Sequence, residues 1–195
     1  MYCYENFINT LSMTDYDLII GHCYVLQISE LIKNKHSYIE IGDGREGAFL
    51  YSILKPNRIF FCTSWGNISC VLRSKDYFYK IWTEILMQFI KTNSPTWMID
   101  FPGAMNRFVS DNGYTVTKEQ CNTEREYYYK NLIEPFTKIS NFNYIDLYKQ
   151  VGDDYDDIKE NIRKEKNSCP WHVGRRTIDK VCKFINEPEL GKITL

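Results

Sequence analysis

Short apolar segments alternate along this chain with longer segments whose apolar residues recur every three or four positions. The short segments have the length and composition of buried β-strands, at residues 37–42, 58–63, 97–101 and 143–148. The longer segments predict helices at residues 24–35, 47–54, 75–91, 119–133, 154–165 and 177–185. Because parallel strands are joined by helical crossovers, the alternation predicts a three-layer α/β domain with a mostly parallel sheet.

The size and charge of the chain are those of an ordinary globular protein. Its 195 residues favour one domain over residues 1–195, and 44% of them are hydrophobic. The clearest helix, at residues 75–91, places a stripe of apolar side chains toward the core: Phe78, Ile81, Trp82, Ile85, Leu86 and Phe89. A formal net charge of -1 does not indicate nucleic acid as the main partner, since such proteins concentrate positive charge.

The cysteine content and the N-terminal residues predict a reduced, cytoplasmic protein. Seven cysteines are an odd number, and none forms a C-x-x-C pair. The first residues lack the basic and apolar regions of a secretory signal, and no apolar run reaches the ~20 residues that span a bilayer. The abundance of tyrosine, asparagine, lysine and isoleucine is typical of AT-rich coding genomes, including those of viruses and phages, which would place the protein in the host cytoplasm.

Three glycines within six residues follow the apolar segment at 37–42. They are Gly42, Gly44 and Gly47. Asp43 lies between the first two, and Glu40 lies two positions before Gly42. Glycines at a strand-to-helix turn let bare backbone approach a ligand at a helix N-terminus, and ligands of open α/β sheets lie beyond the carboxyl ends of the strands. We therefore expect a small polar ligand here, in a Rossmann-like domain. A tight turn without a ligand is the alternative, because the acid that dinucleotide-binding folds carry about 20 residues later is missing.

These residues resemble the class I S-adenosylmethionine-dependent methyltransferases. The likeness rests on Tyr38-Ile39-Glu40-Ile41-Gly42, on Gly47-Ala48-Phe49 and on Arg58-Ile59-Phe60-Phe61-Cys62-Thr63-Ser64-Trp65. It covers roughly residues 38–67.

The resemblance implies a binding role for several positions. The glycine turn with Asp43 would approach the amino-acid portion of S-adenosylmethionine, and Glu40 matches the acid that ends the family's first strand. Thr63 stands where the family has an acid for the ribose hydroxyls, and a single hydroxyl binds them more weakly than a carboxylate. Trp65 could stack on the base or simply cover the edge of the sheet.

Two other functions compete with this one. Asp43 and Glu46 are similar to a metal-binding element of a glycosyltransferase class, in which carboxylates hold Mn²⁺ or Mg²⁺ against a nucleotide sugar. The spacing differs, because Arg45 separates the glycine from Glu46. The absent acid at Thr63 favours a third interpretation, a degenerate Rossmann-like module that binds a ligand without chemistry.

Two further carboxylates follow apolar segments. Asp100 and Asp146 each come near the end of a predicted strand, where general bases commonly lie in α/β enzymes. They are our candidate catalytic residues, and capping of the next segment is the alternative for each. Cys169 and His172 have C-x-x-H spacing but no second pair of ligands nearby, so we predict no metal site there. The acceptor of the methyl group is not identified by the sequence.

Overall fold

The computed structural model describes residues 8–21, 25–40, 53–64, 75–101, 123, 126–146 and 175–187. These residues contain five strands: β1 (Asp17–Gly21), β2 (His36–Glu40), β3 (Arg58–Ser64), β4 (Thr96–Phe101) and β5 (Phe142–Asp146). They also contain the helices α1 (Val25–Ser29), α2 (Lys75–Lys91) and α3 (Arg175–Asn186). A π-helix (Tyr129–Ile133) and a 3-10 helix (Glu134–Phe136) precede β5.

The strands form one sheet in the order β2-β1-β3-β4-β5, and every neighbouring pair is parallel. The predicted α/β fold with a parallel sheet is therefore confirmed. This strand order is the flavodoxin-like form of the doubly wound sheet, in which the chain leaves β1 in one direction and later returns past it in the other.

Strand β1 was not predicted, and it changes the position of the glycine-rich segment. The sequence analysis places the first strand at residues 37–42, but Asp17–Gly21 precedes it and lies between β2 and β3. The missed strand is five residues long, and all five are buried. Strand β2 is thereby the second strand and lies at the edge of the sheet.

Side chains that alternate along the strands form a separate core on each face of the sheet. Leu18, Ile20 and Phe61 belong to one buried cluster, which also contains residues of α2 and of the π-helix. Ile19 and Phe60 belong to the other, together with residues of α1 and α3. Because successive side chains of a strand point to opposite faces, these two clusters establish three layers with helices on both sides.

Helix α2 matches its predicted bounds at residues 75–91. The stripe is confirmed where side chains are described, since Ile85, Leu86 and Phe89 are almost fully buried. The helix ends because Asn93 has a left-handed backbone, with φ of 60°, and its N–H donates to the Ile90 carbonyl at 3.1 Å.

The helix before β5 first widens and then tightens as it approaches a proline. Residues 126–128 are α-helical, and the next five form the π-helix, in which the Glu134 N–H donates to the Tyr129 carbonyl. Pro135 has no N–H to continue the helix, and the 3-10 helix completes the turn. The prediction of a helix up to residue 133 is confirmed over the described part of 119–133.

The remaining predicted elements differ in extent. Helix α1 ends at Ser29 instead of continuing to residue 35. The Leu31 N–H donates to the carbonyl three residues earlier, that of Ile28, at 3.0 Å, and this closes a turn in place of the next α-helical hydrogen bond. Strand β2 then begins at His36. Helix α3 contains the predicted residues 177–185. The helix predicted at 154–165 lies outside the described residues, as does nearly all of 47–54. Among the described helices, none has the length and apolarity needed to cross a membrane.

Candidate functional site

All five strands end at the same edge of the sheet because they are parallel. The last residues at this carboxyl edge are Glu40 in β2, Gly21 in β1, Ser64 in β3, Phe101 in β4 and Asp146 in β5. Ligands of doubly wound sheets bind outside this edge. The residues that the sequence singled out for ligand binding and catalysis are therefore expected at this edge.

Three of the predicted site residues lie side by side on neighbouring strands. Thr63 of β3 is the Cα partner of Asp100 of β4, and Asp100 is in turn the partner of Asp146 of β5. Adjacent strands are separated by about 4.8 Å, so the row extends over about 10 Å. The sheet thus places the proposed ribose-binding position one strand from Asp100 and two strands from Asp146.

Glu40 lies at the same edge, on the other side of β1. Its Cα partner is Gly21, and Gly21 also pairs with Cys62, the residue before Thr63. Glu40 is thus separated from β3 by the width of one intervening strand. A ligand that contacts both Glu40 and Thr63 must pass over the end of β1.

Asp146 is the one carboxyl group of this row whose burial is described. It is only 4% exposed. A buried carboxyl group needs hydrogen bonds or an opposite charge to stabilise it, and Asp146 has an interaction of this kind within the protein.

Gly21, the residue at the switch point of the sheet, was not singled out from the sequence. A Cβ built at this position would lie 2.4 Å from the Cys62 carbonyl oxygen and 2.6 Å from Val25 Cγ2. Only glycine leaves room for α1 to pack this closely over β3. The available signal was the short aliphatic run Leu18-Ile19-Ile20, which ends in Gly21 as a buried strand before a turn often does.

Cys62 lies at the same edge but is not a nucleophile. Its side chain is fully buried between β3 and the helices α1 and α3. Burial raises the pKa of the Cys62 thiol far above its ordinary value, and the nearby Cys182 raises it further. Because the thiolate is the reactive form, this cysteine is chemically inert at neutral pH.

The glycine turn itself falls outside the described residues. This applies to Gly42, Asp43, Gly44, Gly47 and Trp65, and also to Glu46 of the metal-binding alternative. What the structure does describe is Glu40, the last residue of the edge strand β2, two positions before Gly42. Within the described part of the chain, no three histidine, cysteine or acidic side chains are grouped as metal ligands.

The chain was compared with protein-family models, with curated proteins and with solved structures, and none of them matches it.

Proposed function

We propose that this protein binds S-adenosylmethionine along the carboxyl edge of its sheet and transfers the methyl group to an acceptor. The observation that supports this most directly is the row formed by Thr63, Asp100 and Asp146 on three adjacent strands. Glu40, the residue that precedes the glycine turn, ends a strand at the same edge. The expected cofactor-binding positions Glu40 and Thr63 and the candidate bases Asp100 and Asp146 thus lie at one edge, although Asp146 follows Thr63 by 83 positions in the chain.

Each position then has a distinct task. Glu40 and the turn at residues 42–47 would hold the amino-acid end of the cofactor, and Thr63 would donate or accept a hydrogen bond at the ribose. When bound, the cofactor supplies an electrophilic methyl group on a sulfonium sulfur. Asp100 or Asp146 would accept the proton that the acceptor atom loses as its bond to the methyl carbon forms. Positioning would supply most of the rate enhancement.

Thr63 permits a test by gain of affinity. In Thr63→Asp a carboxylate stands where the resemblance expects one, and charge-assisted hydrogen bonds are about twice as strong as neutral ones. We expect S-adenosylmethionine to bind about tenfold more tightly, as measured by isothermal titration calorimetry. Thr137→Asp is the matched control, because it adds the same charge in the segment before β5, away from the carboxyl edge. Equal affinities of both variants would argue against ribose binding at Thr63.

Glu40→Gln tests the opposite effect, a loss of cofactor affinity. It removes one charge at the end of β2 and should weaken cofactor binding by about tenfold, whereas Glu84→Gln, on the exposed side of α2, should leave it unchanged. Gly44→Val should abolish binding, since a β-branched side chain would occupy the space left for the ligand.

The competing functions predict other ligands. A ligand that binds only the native state raises the melting temperature. S-adenosylmethionine should do so here. Stabilisation by a UDP-sugar with Mn²⁺ alone would overturn the proposal in favour of the glycosyltransferase with Asp43 and Glu46 as metal ligands. If none of these ligands raised the melting temperature, the methyltransferase proposal would give way to the third function, a degenerate Rossmann-like module that binds some other partner.

A further inference from the structure

A cleft lies at the amino edge of the sheet, opposite the carboxyl edge. It has a volume of about 260 Å³ and extends across the starts of β1, β2 and β3. Its polar lining consists of Asp15, Asp17, Asn34, Lys35, Asn57 and Arg58. This volume lies just under the range of about 300–1,000 Å³ that is usual for ligand pockets, so the cleft suits a small molecule.

An ion pair between neighbouring strands forms one wall of the cleft. The Arg58 Nε donates to Asp17 Oδ1 at 2.9 Å, and Nη2 donates to Asp17 Oδ2. The guanidinium also lies over the Phe60 ring, with 5.2 Å between Cζ and the ring centroid. Asp17 is 5% exposed. The Arg58 guanidinium is therefore held in one place before any ligand arrives. Its pairing with Asp17 uses Nε and Nη2, so the Arg58 Nη1 nitrogen can donate to other acceptors.

The two remaining charges of the cleft have opposite signs. Lys35 is exposed, and its Nζ donates to the Thr14 carbonyl oxygen. Asp15 is also exposed, and it has a left-handed backbone with φ of 54°. Because Asp17 already balances Arg58, the charges of the described residues that line the cleft sum to zero. A purely anionic ligand would meet one uncompensated cation and one uncompensated anion, so it would gain little.

We propose that this cleft binds a small zwitterion, an α-amino acid. The ligand carboxylate would accept hydrogen bonds from Lys35 and from the outer edge of the Arg58 guanidinium. The ligand ammonium would pair with the Asp15 carboxylate, and the side-chain amides of Asn34 and Asn57 would provide further polar contacts. Both signs of charge in the cleft are then used, which neither a simple carboxylate nor a simple amine can achieve. The site is separate from the proposed methyltransferase site, so either proposal can fail alone.

Three probes of nearly equal size test the charge requirement. L-alanine carries both charges, propionate only the negative one and L-alaninamide only the positive one. In ¹⁵N–¹H correlation spectra we expect saturable shifts with L-alanine at the amides of residues 14–17, 34–36 and 57–58. Propionate and L-alaninamide should bind at least about tenfold more weakly, since each loses a charge-assisted contact.

Variants assign the contacts to individual residues. Asp15→Asn should weaken L-alanine binding about tenfold and strengthen propionate binding, because it removes the uncompensated negative charge among the described residues that line the cleft. Asparagine tolerates the left-handed backbone, so the fold is retained. Lys35→Gln should weaken the binding of both L-alanine and propionate. Lys33→Gln, an exposed lysine two residues away that does not line the cleft, should change neither.

Several results would overturn the proposal. One is equal binding of L-alanine and propionate to the unaltered protein, and another is an Asp15→Asn variant that keeps its preference for L-alanine. Shifts confined to the carboxyl edge of the sheet would place the amino acid at the other site. Absence of saturable shifts with L-alanine would show that the cleft has no amino-acid ligand.

Discussion

At the scale of single residues, Gly21 is the position where β1, β3 and α1 approach closely at the carboxyl edge. Gly21 and Cys62 are Cα partners, and α1 begins four residues after Gly21, with Val25 packed over both strands. The space is too small for any side chain at position 21. This one position therefore controls both the packing of α1 and the shape of the switch point.

Gly21→Ala should be strongly destabilising. The new Cβ would meet a backbone carbonyl oxygen at 2.4 Å, and a backbone group cannot move aside as a flexible side chain can. We expect a loss of about 1–3 kcal/mol in the free energy of unfolding, measured by urea denaturation. Glu30→Ala, at an exposed position just after α1, should change it by less than about 0.5 kcal/mol. Equal stabilities would mean that α1 is not packed this closely.

The buried thiol of Cys62 should make stability depend on pH in the alkaline range. Its pKa in the folded protein is raised above the ordinary value of 9.0, mainly by burial. Below pH 9 both the folded and unfolded states hold the thiol proton, and the full stability is present. Above pH 9 the unfolded state loses this proton first, so the free energy of unfolding falls by up to about 1.4 kcal/mol per pH unit.

Denaturation of the wild-type protein and of Cys62→Ala between pH 7 and pH 11 isolates this contribution. The difference in unfolding free energy between the two proteins should shrink as the pH rises past 9, because only the wild type has the Cys62 thiol, whereas both keep Cys182. A constant difference across this range would contradict the burial of Cys62.

At the scale of elements, α2 shows how one helix is divided between core and solvent. Leu86 is fully buried in the cluster on its face of the sheet, while the next residue, Met87, is 41% exposed. Phe89, one turn after Leu86, meets Phe61 of β3 edge to face at 5.7 Å. The alternation follows from the helical period, which turns adjacent residues about 100° apart.

Leu86→Ala and Met87→Ala therefore form a matched pair. We expect Leu86→Ala to lower the free energy of unfolding by about 2–5 kcal/mol, because a buried side chain is removed and a cavity remains. Met87→Ala should stay within about 0.5 kcal/mol of the wild type. Thermal or urea denaturation measures both, and a larger loss for Met87→Ala would mean that the described orientation of α2 is wrong.

At the scale of the whole molecule, the two clusters make the centre of the sheet the most protected part. Strands β1, β3 and β4 each have hydrogen-bonded neighbours on both sides, whereas β2 and β5 each have one neighbour in the described sheet. Opening a central strand breaks two ladders and exposes both clusters. Opening an edge strand breaks one ladder.

Amide hydrogen exchange should reproduce this gradient. We expect the slowest exchange in β1, β3 and β4, and exchange at least tenfold faster in β2 and β5. Mass spectrometry of peptic peptides resolves these segments. An edge strand as protected as β3 would indicate that another part of the chain, or a second molecule, covers that edge.

Local patterns in the sequence predicted the fold class and most of the elements. The bounds of α2, the start of β3 and the apolar core of α3 follow from periodicity that is written into adjacent residues. The end of α1 was not predictable in this way, because the start of β2 stops the helix before its apolar pattern ends.

The site shows the same division. The sequence by itself singled out Asp100 and Asp146, since each follows an apolar segment, and the family resemblance singled out Glu40 and Thr63. The order of the strands decided that Thr63, Asp100 and Asp146 share a row and that β1 separates them from Glu40. Strand order depends on contacts between residues far apart in the chain, which the spacing of residues within one segment does not record. The pairing of Asp17 with Arg58 is of this second kind, because only the alignment of β1 with β3 brings these charges together.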